Sequence, residues 1–331
     1  MRKLRSVAPR ISIVIPALNE ARNIESCVRS VLDQEPGPEM EVLVVVDGRS
    51  SDGTAGLARA AGATVLESDE PGIGTALNLG LSSARGEVIV RFDAHAEMPP
   101  GYLTACLRAL EEEDAASVGG WREARGSGPW GRALGAALAS PFGVGHPLIW
   151  QRPGRDGRRR EVEHVPLGCF HADVLRSAGG WREDLAANED FELDHRLRTA
   201  GGRIVFDPEI WSVYRPRESL GAMARQYWRY GRGKAIVLAD APRSLRPRQL
   251  APPLLLGTVA LAALPGRVGR RARAALALYA LVIAGATVKS PGGWRTAPVL
   301  ATMHATWGAG ILLGLAQRIL AGKPDRELSR R

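Results

Sequence analysis

Short runs of β-branched residues alternate with helical patterns along the first 92 residues, and this alternation constrains the fold more than any other feature. The runs are 11–16 (ISIVIP), 41–46 (EVLVVV), 63–66 (ATVL) and 87–92 (EVIVRF). A strand that reads as a continuous apolar run is buried on both faces, which is typical of a parallel sheet covered by helices. The sequence therefore predicts an α/β fold.

Polar residues follow three of these runs, at the points where the predicted strands end. They are residues 17–20 (ALNE), 47–54 (DGRSSDGT) and 93–95 (DAH). Turn formation alone can explain any one of them, since Asp, Ser and Gly are ordinary turn residues. In a parallel α/β sheet, however, ligands bind beyond the carboxyl ends of the strands. Three clusters at one edge therefore predict a binding site, with Asn19 as the cap of the first helix.

A carboxylate pair opens a second predicted site within residues 165–208. Asn188 is the predicted N-cap of a helix that begins with Glu189 and Asp190, and Gly201 and Gly202 end that helix. A carboxylate about 3 Å from an incoming hydroxyl can act as a general base. Asp190 is the candidate for this role, and the alternative is a capped surface helix.

Two further residue patterns fit a transfer reaction. Asp93 and His95 flank Ala94, and a carboxylate and an imidazole can share a divalent cation whose other ligands are diphosphate oxygens. An imidazole ligand favours Mn²⁺ over Mg²⁺, and a structural histidine is the alternative. On a predicted helix at 217–239, Arg229 suits bidentate phosphate contacts, and Gln226 lies on the same face. A helix packed near a membrane is the alternative there.

The basic character of the chain is confined to its C-terminal region. Residues 241–331 contain 14 Lys and Arg against 2 Asp and Glu, whereas residues 1–240 contain 30 against 33. The basic residues flank apolar runs, which favours anionic lipid headgroups as a partner and not nucleic acid. The three cysteines are far apart and odd in number, so reduced, cytoplasmic thiols are expected.

Three apolar stretches in this region, at 250–264, 274–288 and 297–316, predict membrane association. Only the third reaches the length of about 20 residues that crosses a bilayer comfortably. If 250–264 crossed outward, the arginines at 267–273 would lie outside, against the positive-inside tendency. We therefore expect 250–264 to be interfacial, and 274–288 and 297–316 to form a transmembrane hairpin. A buried pair of soluble helices is the alternative.

Six motifs stand in order between about residues 10 and 240: IPALNE, VVVDGRSSDGT, GIGTALNLGLSSARGEVIVRFDAHAE, VPLGCF, NEDFEL and QYWRYGRGKA. Together they resemble family 2 glycosyltransferases with a GT-A fold, a Rossmann-like nucleotide-diphospho-sugar transferase domain. The resemblance is strongest to the membrane-associated transferases of succinoglycan-type exopolysaccharide assembly. The C-terminal HATWGAGILLG also resembles that subgroup.

The resemblance implies an inverting, metal-dependent transfer from a nucleotide-activated sugar, with UDP-glucose as the first candidate donor. It implies that the donor is bound by Pro16, Ala17, Glu20, Asp47, Asn78 and Asp93, and that Asp93 and His95 hold Mn²⁺ or Mg²⁺. It also implies that Asp190 is the base, supported by Glu189. The implied diphosphate and acceptor site consists of Gln226, Arg229 and Tyr230. Tyr230 stands where the family's Q-x-x-R-W element has Trp.

The sequence thus predicts a GT-A catalytic domain at 1–240 and a basic, membrane-associated helical region at 241–331. The expected activity adds a hexose to a lipid-linked saccharide at the cytoplasmic face of the inner membrane, in exopolysaccharide or cell-envelope glycan synthesis. Transfer to a polyprenyl phosphate is the nearest alternative. A processive synthase is disfavoured because the apolar segments are few and short. A non-catalytic, nucleotide-sugar-binding membrane scaffold is the alternative from a different class.

Overall fold

The computed structural model of the chain describes residues 10–35, 39–144, 147–154 and 157–321. The first nine residues of the predicted catalytic domain and the last ten of the predicted C-terminal region lie outside the described residues. Within these ranges the strands are β1 (Ile11–Ala17), β2 (Met40–Asp47), β3 (Thr64–Ser68), β4 (Val88–Arg91), β5 (Ala96–Glu97), β6 (Ser117–Ala124), β7 (Arg160–Glu161), β8 (Cys169–His171) and β9 (Ile204–Tyr214).

The helices complete an α/β domain and a helical C-terminal region. They are α1 (Ile24–Leu32), α2 (Thr54–Ala60), α3 (Ile73–Ser83), α4 (Tyr102–Glu113), α5 (Pro129–Ala139), α6 (Pro147–Trp150), α7 (Ala172–Ser177), α8 (Glu189–Thr199), α9 (Leu220–Asp240), α10 (Ala251–Ala262), α11 (Gly266–Thr287) and α12 (Thr296–Ala321).

The strands form one mixed sheet in the order β3-β2-β1-β4-β8-β6-β9-β5, with β7 paired to β9. β1 pairs in parallel with β2 and β4, and β2 pairs in parallel with β3, so the predicted parallel sheet is confirmed for the first four strands. Beyond β4 the sheet is mixed, because β8 runs antiparallel to both β4 and β6.

Two apolar layers cover the sheet, one on each face. Successive residues of a strand point to opposite faces, so Val88 and Val90 of β4 pack with α1, α2 and α4. Ile89 points to the other face, where it packs with α3, α7 and α8. Arg91 follows Ile89 by two residues and therefore points toward the α8 side. The sheet thus carries a charged side chain at the point where β4 ends.

Of the two predicted helix caps, Asn19 is wrong, and Asn188 is confirmed in position but makes no side-chain cap bond. Asn19 lies before a turn, and α1 begins only at Ile24, with Asn23 at the N-cap position. Asn19 has a positive φ of 54°, and its side chain accepts a hydrogen bond from the Ser51 N–H (3.0 Å). Asn188 does occupy the N-cap position of α8, but at a φ of 67° and without a side-chain cap bond. In both cases left-handed backbone, which Asn tolerates, directs the amide to a neighbouring loop or helix.

The last helix, α12, packs along α9. Gly231 of α9 faces the Trp307 carbonyl of α12, and Gly310 of α12 faces the Trp228 carbonyl, so the two backbones approach closely. At the far end Arg318 pairs with Asp240 (3.1 Å). By contrast, α10 buries none of its side chains, and α11 exposes most of its residues. One helical stretch among the described residues, Gly293–Leu320, is long and apolar enough to cross a bilayer.

Candidate active site

The three polar clusters that follow β1, β2 and β4 meet at one edge of the sheet. The Glu20 N–H donates to Thr54 Oγ1 (2.9 Å), and the Ala21 N–H donates to Asp52 Oδ2 (3.0 Å). Glu20 Oε1 lies 3.3 Å from His95 Nδ1, in the loop after β4. The predicted convergence of these clusters is therefore present in the structure.

Asp47 is held as a charged group where β2 ends. Its carboxylate accepts hydrogen bonds from Arg49 Nε (2.8 Å) and Nη2 (2.7 Å), and from the Gly72 N–H (3.2 Å). The bonds from Arg49 outweigh burial and lower the pKa of Asp47. Pro16 and Ala17 end the neighbouring strand, in register with β2. The strand-end residues predicted to bind the nucleotide thus lie side by side.

Asn78 has a different environment from these residues. Its Nδ2 donates to the Trp181 carbonyl (2.8 Å) and to Glu183 Oε1 (3.0 Å), while its Oδ1 accepts from the Trp181 N–H (2.9 Å). Both polar atoms of the amide are thus engaged in joining α3 to the segment that precedes α8. In the structure Asn78 therefore connects two segments of the fold, and its predicted contact with the donor stays a prediction.

Asp93 lies between two guanidinium groups. Its Oδ1 accepts from Arg91 (3.2 Å) and its Oδ2 accepts from Arg122 (2.8 Å). Arg122 in turn lies over the Tyr214 ring, 4.6 Å from the ring centroid. Burial opposes the ionisation of Asp93, but the two arginines outweigh it and hold the pKa of Asp93 far below its usual range. Asp93 is therefore a fixed negative charge.

Arg91 also joins Asp93 to the carboxylate pair at the start of α8. Its Nη2 lies 3.0 Å from Glu189 Oε1, and its Nη1 donates to Asp190 Oδ2 (2.9 Å). Burial, with the adjacent charge of Asp190, raises the pKa of Glu189 to about 7 although Arg91 opposes this. The predicted metal ligand and the predicted base thus share one buried cation.

Asp190 differs from its neighbour Glu189 in exposure and in partners. Its side chain is 27% exposed, whereas that of Glu189 is 4% exposed. Asp190 Oδ2 lies 3.7 Å from His164 Nε2, and His164 Nδ1 lies 2.8 Å from Asp194 Oδ2. Burial disfavours the charged form, but His164 and Arg91 outweigh it and lower the pKa of Asp190. Of the two carboxylates, Asp190 is the charged and accessible one.

The metal-binding prediction can be tested on the donor atoms that are present. Asp93 and His95 are of a type that binds Mn²⁺ or Mg²⁺. Both Asp93 oxygens accept from arginines, however, and His95 faces Glu20. Among the described residues, no group of three or more His, Cys, Asp or Glu is placed to hold a metal ion. The residues thus fit a metal only as a partial ligand set that oxygens of a bound diphosphate would complete.

The predicted acceptor residues of α9 divide into buried and exposed positions. Gln226 is buried, and its Nε2 donates to the Tyr214 hydroxyl (3.2 Å) and to the Tyr230 hydroxyl (3.0 Å). Tyr230 is 37% exposed as a residue, but the enclosed surroundings of its hydroxyl, together with the negative charges of Asp93 and Asp190, raise its pKa. Arg229 is exposed. Tyr230 therefore lies within electrostatic reach of both carboxylates, and Gln226 positions it.

Sequence reasoning missed three residues of the site: Arg91, Arg122 and His164. Arg91 carried a recognisable signal, since a charged residue within an otherwise apolar strand is rarely buried without a partner. Arg122 lies two residues before the end of β6, a strand that was not predicted. His164 lies in a loop between β7 and β8, and no pattern in the sequence connects it to Asp190.

The fold and this site define a class of protein. A nucleotide-type site at the carboxyl edge of an α/β sheet, joined to a carboxylate pair, is the arrangement expected of a GT-A sugar transferase. The model of the family described as "Glycosyl transferase family 2" matches residues 12–177. The chain belongs to glycosyltransferase family 2, as its motifs indicated.

Relatives and a solved structure agree with this assignment. The chain is 31% identical over 323 residues to the succinoglycan biosynthesis protein ExoA of Rhizobium meliloti, covering 93% of this chain and 96% of the relative. It is 22% identical to a dolichyl N-acetyl-α-D-glucosaminyl phosphate 3-β-D-2,3-diacetamido-2,3-dideoxy-β-D-glucuronosyltransferase of Methanococcus voltae, covering 69% and 74% of the two chains.

The solved structure confirms the GT-A fold. The mannosyltransferase PcManGT of Pyrobaculum calidifontis, in complex with GDP-Man and Mn²⁺, matches with a TM-score of 0.63 at 22% identity. The match covers 96% of this chain and 89% of that one.

Proposed function

We propose that this chain is an inverting glycosyltransferase that moves a hexose from a UDP-sugar, with glucose as the first candidate, to a lipid-linked saccharide. The observation that carries the proposal is the ion-pair cluster in which Arg91 joins Asp93, on the donor side, to Glu189 and Asp190. The relatives support an exopolysaccharide or cell-envelope role, because one is a succinoglycan biosynthesis protein and another acts on a dolichyl-linked sugar.

Asp190 is the residue best placed to act as the base. It is ionised at neutral pH because His164 and Arg91 lower its pKa, and it is accessible. Asp190 would take the proton of the acceptor hydroxyl as that oxygen attacks the anomeric carbon. The bond from this carbon to the diphosphate oxygen breaks at the same time, so the configuration inverts and the nucleoside diphosphate leaves.

The residues around Asp93 would stabilise the leaving diphosphate. Arg122 lies 2.8 Å from Asp93, and Arg229 is exposed on α9, so both guanidinium groups can approach phosphate oxygens. Asp93 and His95 would hold a Mn²⁺ or Mg²⁺ ion together with the diphosphate. When bound, such an ion supplies positive charge where negative charge develops.

A donor screen and one variant test this function. UDP-, GDP- and dTDP-hexoses are added with Mn²⁺ or Mg²⁺, and nucleotide release and transfer to lipid-linked saccharides from a membrane extract are measured. We expect turnover with a UDP-hexose and a loss of about 100-fold or more in Asp190→Asn, the effect of removing a general base. Wild-type turnover in Asp190→Asn would exclude Asp190 as the base.

Two other activities have distinct outcomes in the same screen. Transfer to polyprenyl phosphate, without transfer to any lipid-linked saccharide, would identify a polyprenyl-phosphate glycosyltransferase. Binding of UDP, detected as a raised melting temperature, without turnover on any donor would favour a non-catalytic scaffold.

We further propose that the C-terminal region attaches the enzyme to the cytoplasmic face of the inner membrane. Large apolar side chains of α10 and α11 are exposed, among them Leu254 (66%), Leu278 (62%) and Leu281 (70%). The arginines of residues 267–273 are exposed at the start of α11. An apolar surface beside a basic cluster suits acyl chains and anionic headgroups.

The proposed arrangement is an interfacial segment at 250–264 followed by a transmembrane hairpin at 274–288 and 297–316. The packing of α12 on α9 defines the competing arrangement, because a helix that stays on the catalytic domain need not cross the bilayer. The accessibility of position 289, which lies between α11 and α12, distinguishes the two arrangements. A Lys289→Cys variant is suited to labelling, since the native cysteines are buried. A membrane-impermeant maleimide should label it in intact spheroplasts if the hairpin crosses, and only in inverted vesicles if it does not.

A further inference from the structure

The guanidinium group of Arg91 forms ion pairs with three carboxylates from two parts of the fold. Its Nη2 lies 3.2 Å from Asp93 Oδ1 and 3.0 Å from Glu189 Oε1, and its Nη1 lies 2.9 Å from Asp190 Oδ2. The side chain is only 7% exposed. Asp93 follows β4, whereas Glu189 and Asp190 begin α8, almost 100 residues later. Arg91 is thus the direct ionic connection between the donor side and the base side of the site.

The strand geometry accounts for this position. β4 alternates between the two faces of the sheet, and Arg91 points to the face on which α8 lies. Because β4 ends at Arg91, the following residues turn away and leave Asp93 beside the same guanidinium. Asp93 and Arg91 therefore come from one strand end, and the α8 carboxylates approach from the helix above it.

The partners of the three carboxylates differ in a way that makes a role for Arg91 testable. Asp93 keeps a second arginine, Arg122, at 2.8 Å. Asp190 has His164 at 3.7 Å. Among the described residues, Arg91 is the one cation paired with Glu189. Loss of Arg91 would therefore disturb the base side of the site more than the donor side.

We propose that Arg91 is a positioning residue for the transfer reaction: it ties the donor-side carboxylate Asp93 to the Glu189–Asp190 pair, and so holds the base at a fixed place relative to the donor. The inference rests on the proposed function, because it assigns a role within that reaction.

A purely structural role explains this cluster less well. A buried ion pair costs desolvation energy that the attraction between the charges often only balances, so it is weak evidence for stability. The arrangement also leaves Arg91 Nε buried without a hydrogen-bond partner. A chain that needed only to connect β4 to α8 could do so with apolar side chains, as it does with Ile89 and Leu193 in the same layer.

The test compares Arg91→Met and Arg91→Lys with a matched control, Arg159→Met. Arg159 is likewise bonded to more than one carboxylate, Asp207 (2.7 Å) and Glu112 (2.5 Å), and its side chain is 20% exposed, but it lies outside the site. For each protein, kcat, the KM of the UDP-hexose, the pH profile of kcat/KM and the melting temperature are measured with the full chain in detergent.

We expect Arg91→Met to lower kcat by about 100-fold or more, with a donor KM changed by less than about fivefold, because Arg122 still holds Asp93. The acid limb of its pH profile should move up by about one pH unit, since a neighbouring arginine lowers a carboxyl pKa by that order. Arg91→Lys should return the acid limb toward its wild-type position, because it restores the charge, while kcat stays below wild type. Arg159→Met should lower the melting temperature alone.

The contrary results are equally specific. Near wild-type kcat and an unmoved acid limb in Arg91→Met would overturn the inference, and so would wild-type kcat in Arg91→Lys. Because Arg91→Lys keeps the buried charge, it decides the question if Arg91→Met does not fold. If Asp190→Asn is inactive while both Arg91 variants are active, only the inference fails; if Asp190→Asn keeps wild-type turnover, the proposed mechanism itself fails.

Discussion

Replacing Glu189 by Gln should stabilise the protein above pH 7 and leave its stability near pH 4 almost unchanged. Burial raises the pKa of Glu189 from 4.5 to about 7. A tenfold change in proton affinity corresponds to about 1.4 kcal/mol, so the charged form costs the folded state up to about 3 kcal/mol. The adjacent Asp190 shares Arg91 with Glu189, and we therefore expect a measured difference of about 1–3 kcal/mol.

The sign follows from the two protonation states. Below pH 4.5 the wild-type carboxyl is protonated in the folded and the unfolded chain, so glutamine resembles it. As the pH rises from 4.5 to about 7, the unfolded chain releases this proton while the folded chain keeps it, and stability is lost over that window. Glutamine has no proton to release, so the advantage of the variant grows over the same window.

Urea denaturation at pH 4, 6 and 8, followed by tryptophan fluorescence in detergent, measures this difference. Asp190→Asn is a control that should change stability in the opposite direction. In the wild type, His164 and Arg91 hold the pKa of Asp190 below the ordinary 3.8. The charged carboxylate therefore contributes stability, which is lost only as the pH falls through the pKa of the folded state. Asp190→Asn should therefore be less stable than wild type at pH 6 and 8. A Glu189→Gln advantage that is the same at all three pH values would refute the reasoning.

Two further changes test the packing and the placement of single residues. A Cβ at Gly310 would lie 2.5 Å from the Trp228 carbonyl, so Gly310→Val should push α12 away from α9 and lower the free energy of unfolding by about 1–3 kcal/mol. Gly285 has open space around it, so Gly285→Ala should leave stability unchanged or raise it. Urea midpoints compare the two variants. Asn78→Ala should lower the free energy of unfolding by about 1–3 kcal/mol, because it leaves backbone groups of Trp181 unpaired. The donor KM should stay within about threefold of wild type. A much larger KM would place Asn78 in the donor site, as the family resemblance implied.

The sequence located the strands that carry their own pattern. The runs at 11–16, 41–46, 63–66 and 87–92 became β1 to β4. β1, β2 and β4 are largely buried on both faces, as continuous β-branched runs predict, whereas β3 is an edge strand that exposes two of its residues. The strands β5, β7 and β8 contain two or three residues each, which is too short for any periodicity. Their antiparallel pairing depends on contacts distant in sequence, so the mixed half of the sheet could not be predicted.

The site residues also divide into those whose positions follow from local sequence and those whose positions depend on contacts distant in sequence. Asp47, Asp93 and Asp190 stand where strands end or a helix begins, so their positions follow from the secondary structure. The role of Arg91 depends on the approach of α8 to β4, and the contact of His164 with Asp190 depends on a loop; neither is encoded in local sequence. Helix α11 begins at Gly266, so it also includes the arginines that precede the predicted apolar segment at 274–288.

The anomeric configuration of the transfer product tests the central claim most directly. A single base, Asp190, acting on the acceptor hydroxyl implies one displacement at the anomeric carbon and therefore inversion. With an α-linked UDP-hexose donor identified by the screen, NMR of the purified product should show a β-linkage. An α-linkage would require a second displacement or attack from the leaving-group side, and would contradict the assignment of Asp190 as the base of an inverting transfer.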